Sequence, residues 1–321
     1  MKFKNFLPLV SVLAMALAAP AHAFPDADIS IVIPYGPGGG FDSAVRAFAP
    51  YFAKHLGKGV TVLPSNVPGA GGQRGTNTVY RAKPDGYTLG IINLPGFALP
   101  RVLGEPTEYD LLKMSWIGRI ESQDYVLLTA ASSKINSIAD LQKQKDITFT
   151  STGYGSTLLA ASQIVSSALG LQAKKPIYLA GYAGTSDQLV ALVRGDGNVS
   201  VAPVSTAAKY LQSGDLKALA VSGEGSGLTG VPTFAAAGFP ELMALNVQRS
   251  IAGPPGMDAA LLKRLRDAFN QTMVDPEFLA TAKKARMDVM PLNGEKAAAE
   301  VKISFDFYEK FKTDLKNPNA K

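Results

Sequence analysis

The stretch 29–43, ISIVIPYGPGGGFDS, constrains the fold of this chain more than any other. Its β-branched run, Ile29–Ile33, has the length and composition of a buried strand, and prolines and glycines end that strand. A helix is expected to begin near Asp42, with its unpaired N–H groups and positive dipole end directed at the loop. Glycines allow positive φ and close approach of a ligand to the main chain. The stretch predicts a site for an anion, either carboxylate or phosphate. The alternative is a glycine-rich connection with Asp42 as an ordinary N-cap.

Residues 1–23 are typical of an export signal. Lys2 and Lys4 precede the apolar run 6–19, and Ala21-His22-Ala23 has the small-x-small pattern of a signal-peptidase site. The apolar run is too short to span a membrane. We therefore expect cleavage after Ala23, a mature chain that begins at Phe24, and a periplasmic location.

Composition argues against several classes of function. Without the two signal lysines the chain has 30 basic and 26 acidic residues, a net charge of +4, with a single tryptophan and no long basic run. Nucleic-acid binding therefore has little support. The absence of cysteine removes disulfides, thiolate chemistry and cysteine metal sites. Beyond the signal His55 is the single histidine, so a Ser/His/Asp triad would depend on it alone and an HExxH zinc site cannot form. No metal and no cofactor are expected.

Strand-like and helix-like stretches alternate along the rest of the chain, which is typical of α/β layers. Further strands are predicted at 60–63, 87–93, 116–120, 126–131, 147–150, 177–179, 199–204, 218–221 and 247–251. Helices are predicted at 43–56, 137–144, 158–169, 188–194, 205–212, 259–273, 275–286 and 294–315, with Ser205 as the cap of the fifth. Several strands end in loops of glycine and hydroxyl residues. Because open α/β sheets bind ligands beyond the carboxyl ends of their strands, two facing lobes would bring these loops together in one cleft.

The order of six motifs along the chain resembles the Bug family of periplasmic solute receptors, which serve tripartite tricarboxylate transporters. The motifs are Ile33-Pro34-Tyr35-x-x-Gly38-Gly39-x-x-Asp42, Val67-Pro68-Gly69-Ala70-Gly71-Gly72, Pro84-Asp85-Gly86-Tyr87-Thr88-Leu89, Ser151-x-Gly153-x-Gly155-Ser156, Leu216-Lys217-Ala218-Leu219-Ala220-Val221, and Val231-Pro232-Thr233 with Ala237-Gly238. Each motif is weak alone, but the whole succession is specific and covers nearly all of the mature chain.

The resemblance implies a type II periplasmic-binding-protein fold, in which two α/β lobes joined by crossover strands surround a ligand cleft. It places 24–123 and 246–321 in lobe 1 and 124–245 in lobe 2. It also implies a receptor that captures a small organic carboxylate by closure of the lobes and delivers it, as a monomer, to the membrane subunits of a transporter. A receptor of the same fold that signals to a membrane sensor is one alternative, and an exported hydrolase is another.

Members of the family commonly bind carboxylates through main-chain amides and hydroxyls rather than through an arginine. Carried onto this chain, the resemblance predicts ligand-binding residues in the loops of both lobes: Gly39, Gly40, Phe41, Asp42, Ser43, Gly71 and Gly72 from lobe 1, and Ser156, Thr157, Thr185, Ser186, Pro203 and Ser205 from lobe 2.

Three departures from the family pattern bear on the ligand. Phe41 stands where many members have a small residue, so a ring is expected at the mouth of the pocket, although Phe41 could also belong to the core. Where many members have an Asp-Asn or similar polar pair, this chain has Val201-Ala202-Pro203-Val204-Ser205, and where many have a histidine it has Leu158-Leu159. These changes argue against a zwitterionic amino acid. They leave dicarboxylates, tricarboxylates and aromatic acids, and favour a carboxylate with an apolar body.

Overall fold

The computed structural model describes residues 24–57, 59–153, 156–182, 184–224, 227–285 and 287–315. The predicted signal peptide and its cleavage site lie outside the described residues, as does Gly155 of the fourth motif. Within these ranges the strands are β1 (Ile29–Ile33), β2 (Val62–Asn66), β3 (Thr88–Leu94), β4 (Ser115–Ala130), β5 (Thr148–Thr152), β6 (Ile177–Tyr182), β7 (Val199–Pro203), β8 (Leu216–Val221), β9 (Asn246–Gly253) and β10 (Val289–Asn293).

Helices alternate with these strands through most of the chain. They are α1 (Gly40–Leu56), α2 (Gln73–Tyr80), α3 (Leu99–Val102), α4 (Ile138–Lys143), α5 (Thr157–Ala168), α6 (Thr185–Arg194), α7 (Val204–Ser213), α8 (Ala259–Met273), α9 (Pro276–Lys284) and α10 (Gly294–Lys310). Among the residues that the structure covers, no helix combines the length and the apolar character needed to cross a membrane.

Strand β4 connects the two halves of the sheet, whose order is β2-β1-β3-β9-β4-β7-β5-β6, with β8 and β10 also paired to β4. Between Ser115 and Asp124 it pairs antiparallel with β9, and from Tyr125 onward it pairs with β7. The sequence predicted two separate strands here, which is wrong. The polar run Glu121-Ser122-Gln123-Asp124 suggested a break, but the structure keeps it within one continuous strand at the junction between the lobes.

The first lobe is built around the parallel strands β1, β2 and β3 and the apolar face of α1. Phe48 of α1 is fully buried and packs on Phe52, Phe269 and Phe278, with ring centroids 4.9, 5.7 and 6.2 Å apart. This face follows from the helical spacing of the apolar residues in α1. Burial of one such ring stabilises the fold by about 1.5–3 kcal/mol, so this cluster holds α1 against α8 and α9.

The second lobe is built around β5, β6 and β7, with α5 packed on the sheet, and the C-terminal segment contributes to its core. Phe307, Tyr308 and Leu315 belong to the same buried cluster as Phe149 of β5, and Ser167 donates to Asp314 Oδ2 over 2.9 Å. The preceding turns of α10 pack in the first lobe. Helix α10 therefore contacts both buried clusters, and the assignment of all of 246–321 to lobe 1 stays a prediction.

Three local predictions need correction. Helix α1 begins at Gly40 with Gly39 as its N-cap, so Asp42 is not an N-cap. Helix α7 begins at Val204 after Pro203, so Ser205 lies inside its first turn and does not cap it. Strand β10 was missed because its sequence, VMPLN, contains a proline, which argues against a central strand. It pairs with β4 at an irregular position.

Candidate ligand cleft

Two adjoining cavities of 420 Å³ and 830 Å³ lie between the lobes. Residues from both lobes form their common boundary: Gly40, Phe41, Asn93, Thr157 and Thr185. The lining loops follow β1, β5, β6 and β7 at their carboxyl ends, where a parallel sheet presents helix N-termini to a ligand. We refer to the smaller cavity as the inner chamber, to the larger one as the outer chamber, and to both together as the cleft.

The first wall of the cleft is the glycine loop between β1 and α1. Gly38 has φ of +83°, which favours glycine, whereas Gly39 has φ of −82° and extended backbone. The requirement for positive φ therefore falls on Gly38. Gly40 is the tightest position, because a Cβ atom there would lie 2.6 Å from Nη2 of Arg249.

Asp42 fixes this loop from behind. Its buried carboxylate accepts hydrogen bonds from Gly38 N at 2.9 Å, from Arg46 Nε at 3.0 Å and from Asn66 Nδ2 at 2.9 Å. The hydrogen bond from Arg46 is the largest cause that lowers the pKa of Asp42, to about 2. Asp42 lines neither chamber. Its position makes it a brace between β2 and the loop, and its predicted contact with ligand gains no support from this geometry.

Phe41 lies between two other planar groups at the boundary of the two chambers. Its ring centroid is 4.8 Å from that of Tyr35, and the guanidinium carbon of Arg249 lies 4.8 Å above it. The Tyr35 hydroxyl accepts a hydrogen bond from Asn93 Nδ2 at 2.7 Å, and burial raises the pKa of Tyr35 to about 12. Phe41 is partly buried and also packs against the cores of both lobes. It thus presents one part to the cleft and another to the core.

The second wall consists of helix starts that carry hydroxyl groups. Ser156 caps α5, since its Oγ accepts from Leu159 N at 3.1 Å and from Thr152 Oγ1 at 2.7 Å. Thr157 and Thr185 are the first residues of α5 and α6. Helix α7 also begins at the cleft, where Ser205 lies in its first turn. The N-termini of α1, α5, α6 and α7 therefore border one space, and their N–H groups and dipoles favour an anion there.

The floor of the inner chamber holds charged residues that the sequence did not predict. Arg249 of β9 forms an ion pair with Glu121 of β4, with Nη1 and Oε1 2.5 Å apart, and Gln123 Nε2 donates to the same oxygen at 2.6 Å. Only 11% of the Arg249 side chain and 1% of the Glu121 side chain are exposed. Arg249 also lines the cleft, and the expectation that a carboxylate is bound by main-chain amides and hydroxyls rather than by an arginine stays a prediction. Polar residues inside the otherwise buried strands β4 and β9 were the available signal.

Most of the predicted site residues come together in the cleft. Those that line it are Gly39, Gly40, Phe41, Ser43, Gly71, Ser156, Thr157, Thr185, Pro203 and Ser205. Three do not, namely Asp42, Gly72 and Ser186. Gly72 lies behind the ring of Phe97, where an added Cβ would come within 2.7 Å of a ring carbon. Ser186 instead lines a further depression beside α7, which shares Ser205 and Thr206 with the inner chamber. That the residues lining the cleft bind ligand stays a prediction.

His55 lies away from the cleft, at the end of α1. Its Nε2 is 2.9 Å from Oδ2 of Asp275, which also pairs with Lys54 at 3.0 Å. The hydrogen bond from Lys54, followed by that from His55, holds the pKa of Asp275 well below its usual range. No group of three or more histidine, cysteine or acidic side chains among the described residues is placed to hold a metal ion.

The fold and the cleft define a class of protein. Two α/β lobes share the continuous strand β4, and helix N-termini from both lobes border one cleft, which is the arrangement of a two-lobed ligand-binding protein. The profile of the tripartite tricarboxylate transporter family receptor matches residues 44–304. The chain therefore belongs to this family of receptors, and the resemblance found in its motifs is confirmed.

Relatives extend over most of the chain. A UPF0065 protein from the gbd 5′ region of Cupriavidus necator is 29% identical over 296 residues, which is 89% of this chain and 86% of the relative. Protein BugT of Bordetella pertussis is 26% identical and covers 82% of each chain.

Solved structures confirm the fold class. A TctC solute-binding protein from Polaromonas superposes with a TM-score of 0.76 at 23% identity, over 89% of this chain and 98% of its own. MatC of Rhodopseudomonas palustris with bound malate gives 0.71 at 20% identity, over 91% and 100%. Rpa4515 of R. palustris with adipate gives 0.73 at 19% identity, over 91% and 98%.

Proposed function

We propose that this protein is a periplasmic receptor that captures a small organic carboxylate in the cleft and delivers it to the membrane subunits of a tripartite tricarboxylate transporter. The observation that carries the proposal is the convergence of the N-termini of α1, α5, α6 and α7 on one cleft. Carboxylate oxygens accept hydrogen bonds from main-chain N–H groups and hydroxyls, and the helix dipoles add to their attraction. Malate and adipate, bound by the two R. palustris proteins, are carboxylates of the same class.

The lining of the outer chamber favours a ligand with an apolar body. Phe41, Phe97 and Leu99 lie on its first-lobe side, and Tyr182 lies opposite. Burial of ligand carbon on such a surface contributes about 25 cal/mol per Å². Dicarboxylates, tricarboxylates and aromatic acids all fit this description, with an aromatic or otherwise apolar-bodied acid preferred.

Closure of the two lobes is the proposed means of capture. A carboxylate that touches Gly40 on one wall and Thr185 on the other gains both sets of contacts only when the walls are close, so it stabilises the closed state. We propose that the lobes comprise 24–123 with most of 246–321, and 124–245, and that they move about the point in β4 where Asp124 meets Tyr125. The receptor is proposed to act as a monomer.

The ligand is proposed to leave unaltered. The cleft offers hydrogen-bond donors and one ion pair, while His55 is engaged with Asp275 at the far end of α1. Export to the periplasm, with cleavage after Ala23, remains part of this proposal and rests on the sequence.

A thermal-shift screen tests the proposal. The mature protein is heated with a panel of mono-, di- and tricarboxylates, aliphatic and aromatic, with inorganic phosphate and with an uncharged amide as controls. A ligand at about 100 times its Kd stabilises the folded state by roughly 2.7 kcal/mol, which gives a clear rise in Tm. A rise with one or more carboxylates is expected. No rise with any carboxylate, or an equal rise with the amide, would contradict the proposal.

A further inference from the structure

Three polar side chains stand in one row on the floor of the inner chamber. Arg249 of β9 is the register partner of Asn93 on β3 and of Glu121 on β4, so the three lie side by side on adjacent strands, which are about 5 Å apart. All three residues line the inner chamber. A ligand in this chamber therefore meets the three groups together.

Each residue of the row has a buried atom that lacks a hydrogen-bond partner among the described residues. These atoms are Asn93 Oδ1, Arg249 Nε and Glu121 Oε2. Other atoms of the same groups are engaged, since Asn93 Nδ2 donates to Tyr35 and Glu121 Oε1 accepts from Arg249 Nη1 and Gln123. Only 7% of Asn93 and 1% of the Glu121 side chain are exposed. Unpaired polar atoms at this depth cost free energy, and a ligand that pairs with them removes that cost.

The unpaired atoms alternate along the row as acceptor, donor and acceptor. A carboxylate only accepts hydrogen bonds, so its oxygens would face the oxygens of Asn93 and Glu121. An ammonium only donates, and the charge of Glu121 is already balanced by Arg249. A hydroxyl or a primary amide both donates and accepts and carries no charge. Such a group complements the row.

We propose that Glu121 is a specificity-determining residue, which with Asn93 selects a ligand that carries an uncharged hydroxyl or amide group in addition to its carboxylate. The carboxylate lies among the helix N-termini, and the uncharged group lies on the floor against Glu121 Oε2. A second carboxylate is excluded from the floor. This inference rests on the proposed function, since it concerns the same cleft, and it goes beyond that function by naming the second polar group of the ligand and the residue that selects it.

Glu121 carries most of this selection. Both oxygens of a carboxylate accept hydrogen bonds, and the two donors that the structure gives Glu121 are both on Oε1. A Glu121 that served only to hold Arg249 in place would need those same contacts. The test must therefore measure the preference among ligands as well as the stability of the protein.

The test compares acids of equal shape that differ in one group. The aromatic set is terephthalate, 4-carbamoylbenzoate and 4-acetylbenzoate, and the aliphatic set is succinate, succinamate and levulinate. Within each set the second group is a carboxylate, an amide or a methyl ketone. A hydroxyl pair, 4-hydroxybenzoate and 4-methylbenzoate, separates a hydroxyl preference from an amide preference. Each acid is titrated calorimetrically into the full mature chain.

The test variant is Glu121→Gln, and its fold is checked by thermal melting. The new amide oxygen can keep the hydrogen bonds from Arg249 and Gln123, so its NH₂ group replaces the unpaired Oε2 and presents a donor where the wild-type chain presents an acceptor. Glu300→Gln is the matched control. Glu300 accepts a hydrogen bond from Gln248, the neighbour of Arg249 in β9, but it lines neither chamber.

We expect the wild-type chain to bind the amide about tenfold or more tightly than both the diacid and the ketone in at least one set, or 4-hydroxybenzoate by the same factor over 4-methylbenzoate. One hydrogen bond to a charged group gives a factor of this size. In Glu121→Gln the ratio should fall to about threefold or less, whereas Glu300→Gln should retain it.

Three results would overturn the inference. The first is a wild-type chain that binds the diacids as tightly as the amide and hydroxyl probes, and this result decides the matter even if Glu121→Gln does not fold. The second is an unchanged ratio in folded Glu121→Gln. The third is an equal loss of affinity for every acid in that variant, because Glu121 would then only support the cleft.

The inference and the proposed function fail differently. If the wild-type chain binds acids of the thermal-shift panel but none of the amide and hydroxyl probes, the inference is wrong and the carboxylate receptor stands. If it binds no carboxylate at all, the proposed function fails as well.

Discussion

The two walls of the cleft are built by different means. The wall from the first lobe is main chain held rigidly: Gly38 and Gly40 shape the loop, Asp42 braces it, and Phe41 is fixed between Tyr35 and Arg249. The wall from the second lobe consists of hydroxyl groups on helix starts, such as those of Thr157 and Thr185. A backbone site fixes where a charge is held, whereas hydroxyl groups can rotate to meet acceptors in several positions. The first wall is therefore expected to tolerate substitution less than the second.

The largest effect is expected at Gly40. Gly40→Val would place Cβ 2.6 Å from Arg249 Nη2 and its methyl groups in the cleft, so we expect affinity for the best carboxylate to fall about 100-fold or more, equivalent to the loss of two charge-assisted hydrogen bonds. Calorimetric titration measures the loss. Gly36→Val is the matched control, because a Cβ at Gly36 meets nothing within 4 Å. Equal affinity of Gly40→Val and Gly36→Val for the carboxylate would show that the first wall tolerates substitution at Gly40.

On the second wall a smaller loss is expected. Thr185→Ala or Ser156→Ala removes one hydroxyl donor to a charged group, which costs about 1.5–3 kcal/mol and so weakens binding by about tenfold to 150-fold. Ser156→Ala should also lower the Tm, because Ser156 caps α5.

Ser186→Ala sharpens this second test. Ser186 neighbours Thr185 in the chain but lines neither chamber, so Ser186→Ala should leave ligand affinity nearly unchanged. A loss of affinity equal to that of Thr185→Ala would contradict the placement of Thr185 in the cleft and of Ser186 outside it.

Local sequence patterns identified the first wall well and missed the floor. Strand β1, the glycine loop and α1 are contiguous, so the residues that form this wall are visible together in one stretch. Arg249 and Glu121 lie far apart in the chain and meet only because β4 and β9 pair antiparallel. The same pairing keeps the polar segment of β4 in one strand, which alternation of apolar residues could not predict. Long-range pairing, rather than local propensity, decides these features.

The brace behind the first wall predicts a pH-dependent stability. Asp42→Asn should lower the free energy of unfolding by about 1–2 kcal/mol at neutral pH, because the partner Arg46 is half exposed and the substitution keeps part of the hydrogen bonding. The pKa of Asp42 is depressed to about 2, so its contribution is complete above the unfolded pKa of about 4 and is lost as the pH falls through about 2.

Urea unfolding of the wild-type chain and of Asp42→Asn should therefore show a difference in the free energy of unfolding that becomes smaller as the pH falls from about 5 to about 2.5. A constant difference over this range would mean that the carboxylate charge of Asp42 does not hold the loop.

The smallest effect is expected at Phe41, at the boundary of the two chambers. Phe41→Ala removes a ring that can stack on a flat ligand, worth about 0.5–1.5 kcal/mol beyond the area buried, so an aromatic acid should lose more affinity than an aliphatic one. Calorimetry with both acids and melting without ligand separate the two roles. A large fall in the ligand-free Tm with unchanged relative affinities would assign Phe41 to the core.

The central claim is that the cleft binds one carboxylate-bearing ligand molecule per chain and does not change it chemically. The most direct measurement is calorimetric titration of the metal-free mature protein with the best carboxylate of the thermal-shift panel, followed by dialysis and NMR of the recovered ligand. The account predicts one ligand bound per chain and a recovered spectrum identical to that of the starting compound. Sustained conversion of the ligand, abolished by substitution of an acidic residue in the cleft, would contradict it.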